Sequence, residues 1–500
     1  MSISKPALFA SAATAQAVER ARAVAILVGS YDGSGNYGDI AQFEAALALV
    51  ERLGPGILAL PVLEREYLST HRELVEGSGL RAPHALFFDP DGAPEDDLVP
   101  VAAPVDLAFG ASYLYGGGYL NHRWGARKLA MLGAAEALLA GGGAGAPYRV
   151  STGLQVEAGW IAGADALPLG GFDLLGARDS ESRQTLAGIG GTAPVLATGD
   201  DAIGLLGRPP SADAAATGDG RLHLNLHFAE HDWISERPGT VLEFYAGFLA
   251  ELGRLADRPV LARPLIAYLD GRVDERVAIE RLRAACSPLG IEIAEPLLLR
   301  PASLGEAASR LREASLTLTC SYHVALTSLM LQVPAVLIAD NPYYAQKAAG
   351  LREGFELPPA FAPAAGVDPA AAAGEIAALL LDPARGGALR QGLAAAAERL
   401  RLRRATAEAE LLGRLGSAAV LALEGRVEEQ AERLRLRSAE PAALRARLAE
   451  LEEEPPTGAA ALEAELRAQH AEAALAGILQ SRSWRLLAPL RRFRAWLRPH

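Results

Sequence analysis

The sequence predicts an α/β protein with two doubly wound parallel sheets, followed by a helical extension. Short, continuous apolar runs alternate with helical stretches over residues 20–206, and the same pattern returns over residues 220–368. Strands that are apolar along their whole length are typical of parallel sheets covered by helices on both faces. Residues 207–219 (GRPPSADAAATGD), between the two blocks, have the small, proline-containing composition of an interdomain linker.

The first block begins with a strand predicted at residues 23–29 and a helix predicted at residues 40–53. Each of these segments fits the pattern of an apolar strand followed by a covering helix. The further strands of this block are predicted at residues 57–62, 85–89, 107–115, 149–156, 174–177 and 195–198.

The second block repeats this organisation, so we expect two units that face each other across a cleft. Ligands of doubly wound sheets bind beyond the carboxyl ends of the strands, and candidate site residues are therefore sought in the loops that follow strands. Strands are predicted at residues 222–227, 260–267, 291–294, 316–320 and 335–339, and helices at residues 241–255, 274–285, 303–313 and 325–331.

Residues 369–480 are rich in Ala, Leu, Arg and Glu and are predicted to be helical. Val420, Leu423, Val427 and Leu434 have a heptad-like spacing, which is typical of a coiled coil and would allow a homo-oligomer. Prolines interrupt the pattern, and a helical hairpin within one chain explains it equally well. We therefore expect a helical extension here rather than a third domain.

The final stretch, residues 481–500, is basic and aromatic. From residue 482 onward it contains six arginines and no acidic residue, with Trp484, Phe493 and Trp496 between them. This composition is typical of a helix at a membrane interface or of a protein-docking segment. A terminal helix that packs on the body of the protein is the alternative.

The overall charge and cysteine content limit the class of protein. The formal net charge is −12, which argues against a general nucleic-acid partner because phosphate neutralisation needs a basic surface. The two cysteines, Cys286 and Cys320, cannot build a disulfide framework and suit a reducing compartment. Together with the basic and aromatic stretch at residues 481–500, these features lead us to expect a cytoplasmic protein that works near the inner face of the membrane.

The loop after the first predicted strand is rich in glycine. Gly33, Gly35 and Gly38 match the G-x-G-x-x-G spacing of dinucleotide-binding loops. However, Asp39 would lie at the helix N-terminus, where a carboxylate repels a pyrophosphate. The sequence thus favours a binding loop of another kind that includes Asn36, and the alternative is a turn with Asp39 as the N-cap residue.

Gly116, Gly117 and Gly118 follow the strand predicted at residues 107–115. Three consecutive glycines after a strand expose backbone N–H groups that can bind an anion. A tight turn with positive φ is the alternative, and it requires only one or two glycines.

Two further pairs of charged residues end predicted strands. Arg178 can bind a phosphate or carboxylate with its planar guanidinium, and Asp179 follows it directly. A surface contact between these two side chains is the alternative. Asp200 and Asp201 end the last strand of the first block and suit acid–base chemistry, metal binding or helix capping. No residue is assigned to a metal.

Histidines occur at two positions where strands end. His223, His227 and His231 have a spacing of four, but leucines alternate with the first two, so this segment is a strand. We favour a polar strand face that brings His227 to the cleft over a zinc site. His323 lies at a strand-to-helix junction, where an imidazole suits proton transfer. Lys347 could supply a cation to an anionic ligand.

Together these motifs resemble the polysaccharide pyruvyl transferase family over roughly residues 23–350. The resemblance implies two Rossmann-like domains in a GT-B-like arrangement, phosphoenolpyruvate as donor and no cofactor. The family forms a cyclic pyruvate ketal on two hydroxyls of a sugar, so the expected partner is a sugar or lipid-linked oligosaccharide acceptor. The motifs occur in the family's order: Gly35-Asn36-x-Gly38-Asp39, Gly116-Gly117-Gly118, Ala177-Arg178-Asp179-x-x-Ser182, Asp200 with Asp201, and Ser321-Tyr322-His323.

The resemblance also implies roles for individual residues. His323 would protonate the methylene carbon of the donor, Arg178 would hold its carboxylate or phosphate, and the loop at residues 36–39 would face donor or acceptor. Many members have an arginine two residues before this histidine, where the present chain has Ser321. Either Arg263 or Lys347 replaces that cation, or the donor is held differently.

Two other functions stay open at this point. One is a GT-B-type glycosyltransferase that uses a nucleotide sugar, and the other is a non-catalytic saccharide-binding scaffold. The ending at residues 481–491 (SRSWRLLAPLR) is similar to those of bacterial surface-polysaccharide glycosyltransferases, which favours a role in exopolysaccharide biosynthesis.

Overall fold

A computed structural model describes residues 7–422 except 55, 83, 92–96, 143–145, 164–166, 190, 207–219, 230–238, 271–272 and 301–303. The predicted linker, His231, most of the predicted coiled coil and the basic aromatic tail lie outside the described residues. None of the described helices is both long and apolar enough to cross a membrane.

The first unit contains a nine-stranded sheet in the order β5-β1-β4-β3-β2-β6-β7-β8-β9. The seven strands that follow β1 in this order are parallel to one another, namely β4, β3, β2, β6, β7, β8 and β9. Strand β1 runs antiparallel to both of its neighbours. Its elements are β1 (Ala7–Ser11), α1 (Ala12–Arg20), β2 (Ala23–Val28), α2 (Tyr37–Glu51), β3 (Leu58–Glu64), α3 (Leu68–Ser78), β4 (Leu86–Asp89), β5 (Leu98–Pro100), β6 (Phe109–Leu120), α4 (Gly125–Gly141), β7 (Tyr148–Val156), α5 (Ala158–Gly163), β8 (Leu175–Ala177), α6 (Ser180–Ala187) and β9 (Val195–Ala197).

The second unit contains a parallel sheet in the order β12-β11-β10-β14-β15, and β13 pairs with β11 beside it. These two sheets confirm the predicted architecture of two Rossmann-like units followed by C-terminal helices. The remaining elements are β10 (Leu222–His227), α7 (Thr240–Ala256), β11 (Val260–Ile266), α8 (Glu275–Cys286), β12 (Glu292–Ile293), β13 (Leu297–Leu298), α9 (Leu304–Leu311), β14 (Leu316–Thr319), α10 (Tyr322–Met330), β15 (Ala335–Leu337), α11 (Pro342–Phe355), α12 (Pro369–Leu380) and α13 (Pro383–Ala422).

The first unit begins earlier than residue 20, the boundary predicted from the sequence. Strand β1 joins the sheet beside β4, and its side chains Leu8 and Phe9 are 7% and 2% exposed. Leu8 packs into the core on one face of the sheet and Phe9 into the core on the other. The apolar side chains of β1 thus extend both cores, which is why this segment belongs to the unit.

Helices cover both faces of the first sheet, which explains its continuously apolar strands. One core contains Phe43 of α2, Leu74 of α3 and Leu411 of α13. The core on the opposite face contains Val18 of α1 and Met131 of α4. Each face therefore buries a full layer of side chains against helices, as a parallel sheet requires.

The C-terminal helices belong to the body of the protein, at least as far as the structure describes them. Leu393 and Leu400 of α13 lie in the core of the second unit, whereas Leu411 and Leu415 lie in the core of the first. The helical character predicted from residue 369 is confirmed. Because α13 buries leucines in both units, its described part is not an appended segment.

Candidate active site

The carboxyl ends of strands from both units meet around the start of α2. Asn36 is the N-cap residue of this helix, and its side-chain oxygen accepts hydrogen bonds from the backbone N–H groups of Gly38 (2.9 Å) and Asp39 (3.4 Å). The alternative in which Asp39 caps the helix is therefore wrong, because Asn36 already occupies that position. Asp39 lies in the first turn, half-buried.

Glycines in this loop allow the second unit to approach closely. A Cβ atom at Gly38 would come within 1.9 Å of His323 Nδ1, and one at Gly35 would come within 2.2 Å of the carbonyl oxygen of Leu269. The backbone N–H of Tyr37 also donates to the carbonyl of Ala267, 2.7 Å away. These glycines thus serve the packing of one unit against the other.

His323 is the second residue of α10 and lies beside Asp200. The two side chains approach within 3.5 Å, between His323 Nε2 and Asp200 Oδ2. His323 Nε2 has no hydrogen-bond partner among the described residues. Burial lowers the pKa of His323, and Arg178 and Lys347 lower it further, while Asp200 opposes them. The imidazole is thus a neutral group that a nearby anion would help to protonate.

Asp200 connects the polar groups of the site. Its Oδ2 accepts hydrogen bonds from Gln42 Nε2 at 2.8 Å and from Arg178 Nη1 at 3.4 Å, and its Oδ1 accepts one from the backbone N–H of Ala202 at 2.9 Å. Burial acts to raise the pKa of Asp200, but His323 in its protonated form and Arg178 outweigh it and lower the pKa to about 2. Asp200 is therefore a buried carboxylate at neutral pH.

Arg178 is buried, with a side chain that is only 3% exposed. Its guanidinium carbon lies 4.1 Å from the ring centre of Tyr322, and its Nη2 has no hydrogen-bond partner among the described residues. Asp179 caps α6 through Ser182, and its second carboxylate oxygen lies 4.0 Å from Arg178 Nε, buried and without a hydrogen bond among the described residues. Buried polar atoms without hydrogen bonds call for an explanation, and a bound ligand or water molecule would supply one.

Asp39 and Lys347 bring opposite charges to the site from the two units. Burial raises the pKa of Asp39, with a contribution from Asp32, whereas Lys347 and Lys128 oppose that rise. Burial lowers the pKa of Lys347, Arg178 acts in the same direction, and Asp39 opposes them. The Nζ of Lys347 lies 4.1 Å from the ring centre of Tyr343. Burial thus brings the pKa values of this carboxyl group and this amine towards each other.

The three consecutive glycines are part of β6 and do not form a loop after it. Strand β6 continues to Leu120, and its pairing register shifts after Gly117, so the prediction of a separate N–H loop is wrong. Gly116 and Gly117 have positive φ values of 30° and 101°, which produce this irregularity. A Cβ atom at Gly118 would lie 2.5 Å from the hydroxyl of Tyr343. The glycines thus make room for side chains that enter the site.

Two predicted residues lie elsewhere. His227 is 2% exposed and faces the core of the second unit, with its Nε2 3.2 Å from Glu275 and its Nδ1 3.6 Å from Cys320 Sγ. Glu275 and Cys320 raise the pKa of His227 to about 10 although burial opposes this. Arg263 forms an ion pair with Glu313 at 2.9 Å. The predictions that His227 reaches the cleft and that Arg263 supplies the anion-binding cation are therefore wrong.

Ser321 is the N-cap residue of α10, and its side chain makes no capping hydrogen bond. Its backbone N–H donates to Thr319 Oγ1 at 2.9 Å. The position is half-buried at the start of the helix that carries His323. A hydroxyl at this position cannot supply the positive charge that an arginine there would bring.

Three site residues were missed by sequence reasoning: Gln42, Asp32 and Lys128. Gln42 is fully buried in α2, where a polar residue inside an apolar run is itself a signal. Lys128 is 4% exposed, and its Nζ has no hydrogen-bond partner among the described residues. The rarity of lysine in this chain is the signal that could have drawn attention to it.

Comparison with known proteins supports the resemblance seen in the sequence. Residues 168–342 match the model of the family described as polysaccharide pyruvyl transferase. This match confirms the predicted resemblance and the predicted transferase class. No curated protein sequence matches the chain.

Several solved structures are similar to the chain at low sequence identity. They include a putative UDP-N-acetylglucosamine 2-epimerase from Listeria monocytogenes, with 14% identity, a TM-score of 0.45, and coverage of 76% of this chain and 94% of that chain. UDP-GlcNAc 2-epimerase from Neisseria meningitidis bound to UDP-GlcNAc has 10% identity, a TM-score of 0.44, and coverage of 76% and 98%. Both TM-scores are below 0.5, so nothing about function follows from them.

Proposed function

We propose that this site transfers the enolpyruvyl group of phosphoenolpyruvate to two hydroxyls of a sugar in a surface-polysaccharide precursor. The observation that carries the proposal is the position of two buried side chains, each with one nitrogen that has no hydrogen-bond partner among the described residues. His323 Nε2 lies 3.5 Å and Arg178 Nη1 lies 3.4 Å from the same oxygen of Asp200, and Arg178 Nη2 is unsatisfied. An acid and an anion-binding guanidinium are therefore held side by side, within a segment that matches the family.

The chemistry divides into two additions. In the first, an acceptor hydroxyl forms a bond to C2 of the donor while His323, as imidazolium, gives a proton to the C3 methylene carbon. The hydroxyl proton passes to Asp39, whose pKa is raised by burial and which therefore suits the role of base. Phosphate then leaves C2, the second hydroxyl bonds to that carbon, and its proton leaves with the phosphate. The products are a cyclic ketal and inorganic phosphate.

The charges of the site favour protonation of His323 when an anionic donor is bound. Arg178 binds the donor carboxylate or phosphate, which places negative charge near the imidazole. Asp200 acts in the same direction from 3.5 Å. The imidazolium is thus stabilised in the complex although burial disfavours it in the ligand-free site.

The test is phosphate release from phosphoenolpyruvate in the presence of nitrophenyl or undecaprenyl-linked sugars. We expect release only with an acceptor, and a loss of about 10²–10⁴-fold in His323→Gln, which is the usual contribution of general acid catalysis. His122→Gln is the matched control, since the His122 side chain is 67% exposed. Unchanged turnover in His323→Gln would disprove the assignment of the acid.

The same assay separates the other functions. In a second set of assays, nucleotide sugars are supplied in place of phosphoenolpyruvate. Release of nucleoside diphosphate there, without phosphate release from phosphoenolpyruvate, would identify a glycosyltransferase. Saccharide binding with no turnover in either set of assays would identify a scaffold.

A further inference from the structure

Lysine is rare in this chain, and two of its lysines lie at the site. The 48 basic residues include only three lysines, Lys5, Lys128 and Lys347. Lys5 lies outside the described residues. Lys128 and Lys347 both act electrostatically on the same carboxylate, that of Asp39. A chain that uses arginine almost everywhere thus has two primary amines in one place.

The two lysines lie near the N-termini of two helices, one from each unit. Lys128 lies in the first turn of α4 and Lys347 in the second turn of α11. Trp124 precedes Lys128 by four residues and Tyr343 precedes Lys347 by four, so each aromatic ring shares a helix face with its lysine. The rings of Trp124 and Tyr343 are in contact, with 5.9 Å between their centres. The faces that carry the two amines therefore adjoin.

Neither amine has its charge fully used within the described residues. Lys128 is 4% exposed, and its Nζ lacks a hydrogen-bond partner there. The carboxylates of Asp32 and Asp39 interact with its charge but form no hydrogen bond with it, so an anion that enters the site gains a direct interaction with the ammonium. Lys347 Nζ lies 4.1 Å from the Tyr343 ring centre and 4.9 Å from that of Tyr344. Contacts with ring faces hold the ammonium without forming a conventional N–H···O hydrogen bond.

A compact ammonium suits this place better than a guanidinium. Lysine binds phosphate as a point charge, whereas arginine needs room for its planar fork. The guanidinium of Arg178 already occupies the neighbouring position, stacked on Tyr322 at 4.1 Å. The amines of Lys128 and Lys347 can add positive charge beside Arg178 without needing room for a second planar guanidinium.

We propose that Lys128 and Lys347, one from each unit, hold the phosphate group of the donor. They take the role that the family resemblance gives to an arginine at the position of Ser321, and Arg178 is then left to bind the donor carboxylate. This proposal rests on the proposed function for the identity of the donor. The phosphate site itself can be tested without turnover.

The test is calorimetric titration of the full chain with three probes: inorganic phosphate, phosphoenolpyruvate and pyruvate. The variants are Lys128→Met and Lys347→Met, with Arg254→Met as the matched control because Arg254 is 66% exposed on α7. We expect each lysine variant to weaken phosphate and phosphoenolpyruvate binding at least about tenfold and to change pyruvate binding less than about twofold. The control should bind all three probes as the unaltered chain does. Melting temperatures show whether each variant is folded.

Phosphate affinity that stays within about twofold in both lysine variants would overturn the proposal. Equal weakening of phosphate and pyruvate binding would also overturn it, because the lysines would then lack selectivity for the phosphate. If no acceptor releases phosphate but the lysine variants lose phosphate binding, the phosphate site stands and the proposed reaction fails. If turnover is observed and the lysine variants bind phosphate normally, the reaction stands and the phosphate site fails.

Discussion

Gly38 lies where the imidazole of His323 packs against the first turn of α2. A methyl group at this position would come within 1.9 Å of His323 Nδ1, so the ring would have to turn away from Asp200. Displacing a catalytic group by about 1 Å can cost on the order of 10²-fold in rate. The geometry of the acid therefore depends on the absence of a side chain in the other unit.

We predict that Gly38→Ala lowers turnover about 100-fold while the protein stays folded. The added methyl group forces the His323 ring to move, and thermal melting separates the resulting loss of activity from any loss of stability. The matched control is Gly133→Ala in α4, where nothing lies within 4 Å of an added Cβ atom. Kinetics and thermal melting of both variants provide the measurement. Full activity in Gly38→Ala would show that the ring contact is unimportant.

His71 makes the folded state sensitive to acid. Its Nδ1 lies 2.9 Å from the hydroxyl of Tyr31, and burial lowers its pKa from 6.5 to about 4. Between these two values the unfolded chain binds a proton at this residue and the folded chain does not. Stability from the neutral imidazole is therefore present above pH 6.5 and is lost as the pH falls towards 4, by up to about 3 kcal/mol.

We predict that His71→Gln has a smaller loss of stability on acidification than the unaltered chain. Urea denaturation at neutral pH and near pH 4.5 measures this difference directly. Other groups titrate equally in the two proteins, so the comparison isolates His71. Parallel decreases in the two proteins would show that this imidazole is not responsible.

The location of a single residue in the site could be predicted from sequence where the residue closely follows a strand. His323, Arg178 and Asp200 are examples, because loops after parallel strands meet at one edge of the sheet. The predicted locations of Arg263 and His227 were wrong, because the alternation of residues along a strand does not show which elements cover each face of the sheet. Gln42 and Lys128 were missed because their roles depend on partners far away in the sequence.

Helix α13 connects the two units behind the site. Arg404 is 1% exposed and forms ion pairs with Asp201 and with Glu408. Asp201 is the neighbour of Asp200 and also accepts a hydrogen bond from Thr152 at 2.6 Å. Arg401 donates to the carbonyl of Met330, at the end of the helix that begins near His323. The helix thus fixes the surroundings of both Asp200 and His323.

We predict that Arg404→Met lowers the free energy of unfolding by about 3–5 kcal/mol, because it leaves Asp201 buried without its cation. Adding Asp201→Asn should recover part of this loss by removing the uncompensated charge. The control is Arg385→Met, whose exposed pair with Asp382 is worth less than about 1 kcal/mol. Urea denaturation gives the three values. Equal costs for Arg404→Met and Arg385→Met would contradict this role.

Most strands and five of the helices could be predicted from sequence to within a few residues, because their apolar runs are continuous and bounded by loops. Strand β10, for example, has the predicted bounds. Strands β1, β5 and β13 were missed, since segments of five, three and two residues give little periodic signal. The extension of β6 through its glycines was missed because glycine normally ends a strand, and here the register shift accommodates it.

Across the whole molecule, the site is larger than the segment that matches the family. Residues 168–342 supply Arg178, Asp200 and His323, whereas Asp39 and Lys347 lie outside that range. Both units are therefore needed to complete the proposed donor site. The sequence predicted that the units face each other, but which side chains meet depends on how the start of α2 packs against the second sheet.

The most direct test of enolpyruvyl transfer follows the proton that His323 is proposed to deliver. The chain is incubated with phosphoenolpyruvate and sugar acceptors in D₂O, and the product is analysed by NMR and mass spectrometry. We predict a ketal whose methyl group carries one deuterium, formed together with one phosphate per ketal and absent with His323→Gln. Phosphate release without a ketal, or a ketal formed equally well by His323→Gln, would contradict the proposal.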